Sequence, residues 1–458
     1  MELRCTAPAI AEVPKEVLAY VTEFMDQQAN RTRERRHWAK WFVIASRFAS
    51  IQVFTQGLGF VVGIFIIRKL TKPEYAVYTL ANTMLASILI LADSGISSAM
   101  TSIGGRVWQD AKALGQLVAS AMQWRRYLAI TTLFLVTPVM VWLLARNGAT
   151  PVQLFIITIL VLIGCAFEFL TRIYAVVLRL RSERGKLQVN AAIGVLVRGV
   201  LLLALWMRLN AVAALLGAVA GCGLQFILVW RWTRDVRDTS AHADPVMVSE
   251  IGGIIKKQAP NILFYCIQAQ VTVWIISVFG HSSGVAEVGA LGRLVAILAV
   301  VNTTLNEVIF PAFARIQNPG LVRTRYTELL ALYAVGSAAF VILFAQFPRA
   351  FLWLLGPKYM SLEREGMLMA INVTMTAFAG LVWGLNTTRA WILYPWPQIV
   401  LVFGAQLVMV RTMNLSTVHG ALIFSIISTF IGILWGCIVS CDGMLKEARK
   451  HKAMAVAA

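Results

Sequence analysis

The sequence predicts an all-α polytopic membrane protein of about twelve transmembrane helices in two parallel six-helix lobes. Three observations carry that prediction. Of the 458 residues, 59% are hydrophobic and only 14% are charged, with a mean hydropathy of +0.72, which is too apolar for a soluble globule. The apolar residues gather into runs of about twenty, long enough to cross a bilayer as a helix. They show neither the period-two alternation nor the ten-residue segments of an outer-membrane barrel. Lys and Arg cluster between alternate runs, as in loops retained on one side of a membrane.

Residues 1–41 precede the first run. Val17, Val21, Phe24 and Met25 share one face between Pro14 and Asn30, which predicts a short amphipathic helix in a cytoplasmic N-terminal extension. Glu16, Glu23 and Asp26 on its polar face make it a poor match for acidic lipid. The segment has no ordered basic start, apolar stretch and small-residue cleavage site, so the first span is expected to act as the insertion signal. An N-lobe follows over 42–240, with spans at 43–67, 76–97, 127–145, 152–176, 187–207 and 211–230. A C-lobe over 241–458 has spans at 260–279, 285–309, 328–347, 367–388, 394–410 and 418–438, then a cytoplasmic tail.

Placing the N-terminus in the cytoplasm assigns about 29 of the 41 Lys and Arg residues to inside segments and about nine to outside ones. Both termini are then cytoplasmic. The net charge of +19 is assigned to those loops and not to nucleic-acid binding. One exterior loop dissents, with Arg68, Lys69 and Lys72. Cys165, Cys222, Cys266 and Cys437 lie in apolar spans and read as small buried hydrophobes. The six cysteines show no metal-ligand or disulfide spacing, and neither a metal nor a cofactor is expected.

The two sets of six spans look like a duplication at an offset of about 213 residues. Tyr75-Ala-Val-Tyr78 then matches Val288-Gly-Ala-Leu291, and Asp93 matches Asn306. An even number of spans per half gives both lobes the same orientation, with a cleft between them that rocking would open to either side in turn.

Several motifs resemble a known family. Arg68-Lys-Leu-Thr-Lys-Pro-Glu-Tyr-Ala-Val-Tyr78 resembles the R-x-L-x-P-x-x-[FY]-G-x-Y stretch of the polysaccharide-transporter family, the Wzx-like flippases of the MOP (multidrug/oligosaccharidyl-lipid/polysaccharide) superfamily. Leu91-Ala-Asp-Ser-Gly-Ile-Ser-Ser98 is similar to its D-x-G ending of span two. Val288-Gly-Ala-Leu291, Ile309-Phe-Pro-Ala312 and Leu354-Leu-Gly-Pro-Lys-Tyr359 are similar to its second-half markers. Ala76 departs from the family's glycine, and Lys69 and Lys72 make the loop more basic than most. The resemblance covers roughly residues 42–440 and implies a MATE/MOP-like fold. It implies translocation of polyprenyl-pyrophosphate-linked sugar repeat units across the bacterial cytoplasmic membrane, for O-antigen, capsule or exopolysaccharide assembly. The lipid bilayer and a polysaccharide polymerase or chain-length regulator are the further partners it implies.

Six charges fall within or at the edge of apolar runs: Arg47, Asp93, Glu168, Arg198, Arg293 and Glu307. An ionised side chain at mid-bilayer costs roughly 2.5 kcal/mol or more unless sheltered. A pyrophosphate calls for arginine, whose planar fork bonds two oxygens at once. Arg47, Arg198 and Arg293 are the candidates, with snorkelling to the headgroups the alternative for Arg47. Arg198 is expected to pair with Glu168, which has Arg172 one turn away as another partner. Thr304 and Glu307 each fall within about 40° of Arg293 on span eight. On span seven, Asn261, Tyr265, Gln268 and Thr272 share a face suited to sugar or to bonds between helices. Span one adds Gln52 and Gln56 beside Gly59 and Gly63, glycines expected to allow close helix packing. Asp93 precedes Gly95, where a helix break is expected; Asp93, Glu307 and Glu168 are the coupling or gating candidates.

Two other functions fit the same residues less well. A cation-coupled multidrug exporter should carry mainly acidic buried residues, whereas arginines and carboxylates are equally represented here. A membrane polymerase or ligase needs convergent acid, base or metal groups. The exterior loop 348–366 has Glu363 and Glu365 without histidine and reads as solvated surface. The interior connection 231–259 has Asp235, Asp238 and His242 without metal-ligand spacing, so no enzyme is expected.

Overall fold

A computed structural model describes residues 54–295, 301–302, 305, 309–314, 316, 318–389, 391 and 396–457, which are helical with no strand among them. Helix α1 is described over 54–69. It is followed by α2 (Lys72–Asp93), α3 (Ile96–Val107), α4 (Ala111–Arg146), α5 (Pro151–Leu180), α6 (Arg184–Ala204) and α7 (Ala211–Arg234). The second half contains α8 (Pro245–Phe279), α9 (Ser282–Leu291), α10 (Phe310–Ala314), α11 (Pro319–Gln346), α12 (Pro348–Leu355), α13 (Glu363–Thr388), α14 (Trp396–Thr412) and α15 (Val418–Ala457). Among the described residues, nine helices are long and apolar enough to cross a membrane: α2, α4 to α8, α11, α13 and α15. The remaining expected spans fall on α1, on α9 with the residues after it, and on α14. The chain is a multi-pass membrane protein.

Helix starts follow from capping chemistry. Thr71, Asp110, Thr150, Asn210, Asp244 and Asn318 each accept a backbone N–H in the first turn of the helix that follows. Thr150 and Gln153 form a reciprocal capping box. Pro151, Pro245 and Pro319 open α5, α8 and α11, where a missing N–H costs nothing. Between α2 and α3 the helix breaks at Ser94 (φ 35°) and Gly95 (φ 94°). A Cβ on Gly95 would come within 2.5 Å of Gln258 Oε1, so glycine there serves both the left-handed turn and the approach of α8.

Several helices outrun their apolar cores. α4 begins at Ala111 instead of 127 and α8 at Pro245 instead of 260, while α15 continues to Ala457. Hydropathy marks the part of a helix that lies in lipid, whereas the helix itself continues while its backbone bonds and packing persist. The expected 231–259 connection therefore shrinks to residues 235–244. The 348–366 stretch differs too: it forms α12, the turn Pro357–Tyr359 and the start of α13, with Leu352, Leu355 and Tyr359 fully buried.

The core positions the two lobes. At the end carrying the α1–α2 turn, one continuous cluster joins α1, α2, α4 and α5 to α8, α9, α12 and α15. At the opposite end the core divides. One cluster unites α3, α4, α5 and α7 with Ile251 and Ile255 of α8; another unites α10, α11 and α13 with Trp391 and Val439. Among the described residues the halves are thus welded at one end and separate at the other, apart from the anchoring of the first turns of α8 on α3 and α4, where Arg106 also pairs with Glu250. Within each lobe small residues allow close crossings. A Cβ on Gly221 of α7 would sit 2.7 Å from the Gly194 carbonyl of α6.

Candidate functional site

Just inside the welded end, polar side chains from both halves meet. α2 supplies Tyr75 and Tyr78, one turn apart on the same face, with ring centroids 5.9 Å from each other. From α6, Arg198 donates Nη2 to the Tyr78 hydroxyl and lies 5.9 Å from its ring. From the turn after α9, Arg293 donates Nε to the Tyr75 hydroxyl at 3.5 Å. Gly63 of α1 leaves the room: a Cβ built there would lie 3.6 Å from Arg293 Cδ and Nη1. Arg198 Nε is buried without a partner. Among the described residues neither arginine has a carboxylate within ion-pair distance. Two guanidiniums sheltered in apolar surroundings, with phenol oxygens as their side-chain acceptors among the described residues, make a strongly anion-receptive point.

Above this cluster the two halves are bolted together by the basic loop that dissented from the charge pattern. Arg68 donates to the carbonyls of Leu354 at 3.1 Å and Trp353 at 2.5 Å, with its guanidinium 4.8 Å from the Trp353 ring. Lys72 pairs with Glu287 at 2.7 Å. Lys358 returns the contact, donating to the Leu70 carbonyl at 2.8 Å. Tyr75 Oη donates to the Gly289 carbonyl at 3.2 Å, and α2 packs along α9 there. Gly289 and Ala76 stand at equivalent positions of the duplication, so small residues occupy both sides of the inter-lobe crossing. Lys69 lies over the Trp206 ring at 3.5 Å.

Other predicted residues fall elsewhere. The expected Glu168–Arg198 pair is not formed. Glu168 bonds Arg172 at 3.5 Å along its own helix and accepts from Cys222 Sγ, while Arg198 gives Nη2 to the Tyr78 hydroxyl instead. Asp93 ends α2, pairs with Arg125 at 2.7 Å and accepts from Ser97 at 2.7 Å. Gln268 exchanges bonds with Gln406 of α14, at 2.9 Å from the Gln406 amide, and Gln406 continues to Ser428 of α15. Tyr265 packs on Trp383 at 5.0 Å. This part of the span-seven stripe thus faces α13 to α15. Asn261 and Gln56 are half-buried, and Gly59 meets only Val195 of α6. Arg47, Gln52, Thr304, Asn306 and Glu307 lie outside the described residues.

No protein-family model and no curated relative matches the sequence. Solved structures do match in shape. An inward-facing multidrug resistance MATE family transporter of the MOP superfamily superposes with a TM-score of 0.58 at 16% identity, over 85% of this chain and 96% of that one. A MATE in the bent conformation gives 0.58 at 14% identity, over 97% and 100%. The chain has the MATE fold. A MOP superfamily transporter from Pyrococcus furiosus, described by a reverse polarity of its binding pocket, gives 0.54 at 15% identity over 95% and 98%. In this MATE fold the Arg198–Arg293 cluster lies where the two lobes meet, one to two helical turns inside the weld. Sequence reasoning picked both arginines and overlooked the tyrosines that hold them. The available signal was two aromatic hydroxyls at i and i+3, in a motif otherwise read only as a family marker.

Proposed function

We propose that this chain is a flippase that carries polyprenyl-pyrophosphate-linked oligosaccharide repeat units across the bacterial cytoplasmic membrane by alternating access, for surface-polysaccharide assembly. The observation that carries the reading is the convergence of Arg198 and Arg293, one from each half, with no neutralising carboxylate among the described residues. A pyrophosphate would exchange the phenol acceptors for charged oxygens, and both lobes would hold it at once. The fold carries multidrug export equally well. A lipophilic cation, however, would enter beside two fixed positive charges, at a cost in a low-dielectric site. The N-terminus is placed in the cytoplasm by charge bias, which makes the welded end periplasmic and this arrangement open toward the cytoplasm.

The test is leaflet-resolved. Depletion of the protein should trap lipid-linked oligosaccharide on the cytoplasmic leaflet, and restoring it should release the trapped pool. Accumulation on the outer leaflet would sink the reading. Arg293→Ala should insert and fold yet release little of the pool; release at the wild-type rate would remove Arg293 from the path.

A further inference from the structure

A second basic cavity lies away from the inter-lobe cluster, on the flank of the N-terminal half near the α2–α3 break. It is a cleft of about 470 Å³ between α4, α5 and the α7–α8 connection. Arg125, Arg126 and Arg237 line it together with Phe169, Tyr174 and Met122. The Arg125 side chain is only 3% exposed and spends one nitrogen, Nη2, on Asp93 at 2.7 Å. Its Nε and Nη1 are buried with no partner, as is Arg237 Nε. Two aromatic rings support the cations: Arg125 stands 5.6 Å from Phe169, and Arg237 4.8 Å from Tyr174. The guanidiniums that line the cleft thus carry three buried N–H donors with no acceptor among the described residues.

We infer that this cleft binds the phosphate headgroup of an anionic phospholipid from the bilayer leaflet at that end. A phosphodiester in the cleft would lie against the guanidiniums of Arg125, Arg126 and Arg237, and a small turn of these side chains would offer it their unpartnered N–H groups. The cleft is built for an amphiphile and not for a free ion alone, because its other walls are Met122, Leu170 and alanines. Beyond it α4 presents Tyr127, Ile130 and Phe134, which are 60, 68 and 79% exposed and form a lipid-facing track for an acyl chain. Basic pockets between membrane helices recognise lipid headgroups by the same combination of charge and apolar wall. The same Arg125 ties α4 to Asp93, the last residue of α2.

The experiment is native mass spectrometry of the purified full chain, with phosphatidylglycerol, phosphatidylcholine and inorganic phosphate as separate probes. The wild-type protein should retain phosphatidylglycerol in preference to phosphatidylcholine, and millimolar inorganic phosphate should not displace it. Arg237→Gln, whose side chain makes no ion pair among the described residues, should fold normally and lose about fivefold in phosphatidylglycerol affinity, as expected for removing one interfacial cation. Arg126→Gln tests the exposed rim in the same way, should Arg237→Gln fail to fold. Equal retention of both lipids, displacement by inorganic phosphate, or unchanged affinity in a folded Arg237→Gln variant would each overturn the assignment. None of these outcomes bears on oligosaccharide transport, which is read through Arg293.

Discussion

Tyr78 is the residue on which Arg198 depends. Its hydroxyl is the recorded acceptor for Arg198 Nη2, while Nε on the same guanidinium is already bare. Tyr78→Phe keeps the ring and removes that acceptor. It should destabilise the protein by about 1–3 kcal/mol, the cost of stranding a buried donor, read as a lower unfolding temperature in detergent. An unchanged unfolding temperature would mean that Arg198 finds another acceptor. Tyr75→Phe should cost a similar amount, since its contact with Arg293 is long at 3.5 Å but its hydroxyl also donates to the Gly289 carbonyl at 3.2 Å. Gly63 sets a complementary limit. Gly63→Ala adds a methyl at ordinary van der Waals distance from Arg293 and should be nearly silent, whereas Gly63→Leu should push the guanidinium aside and impair transport. A Leu variant with normal transport would show that Arg293 can act from another position.

Between elements, the crossing of α2 with α9 tolerates little. A Cβ on Gly289 would fall inside 3.0 Å of Thr79, whose branched side chain sits on the helix backbone and has little room to withdraw. Gly289→Ala should therefore force the two helices apart and cost about 1–3 kcal/mol by overpacking, again measurable by thermal unfolding. Stability equal to wild type would show that the crossing is softer than its spacing implies. The break at Gly95 was legible in the sequence, and the caps Asp110 and Asp244, which went unread, are local chemistry of the same kind, written in one or a few residues. The longer helices were missed because a hydropathy reading stops where lipid stops, although Asp110 already marked the start of α4. The Arg198 partner was missed for a different reason. Helical periodicity places residues on faces, but which face of α6 meets α2 depends on packing between elements distant in sequence.

For the molecule as a whole, the weld at the α1–α2 end is what a transport cycle must break and remake. Lys72–Glu287 is the one cross-lobe ion pair at that end among the described residues, which makes it separable by charge reversal. Lys72→Glu should set two carboxylates against each other and lengthen the mean distance between spin labels on the α1–α2 turn and on α12; adding Glu287→Lys should restore it. No change in either variant would show that the pair contributes nothing to closure, as happens for many exposed pairs. The remaining bolts have another character. Arg68 and Lys358 grip carbonyl oxygens of the main chain, and every residue type offers that handle. A position such as 354 can therefore drift in identity over evolutionary time while its grip persists, whereas 68 and 358 cannot. No correlated exchange between the two lobes would betray the fastening to a comparison of sequences, and it would be visible only in three dimensions.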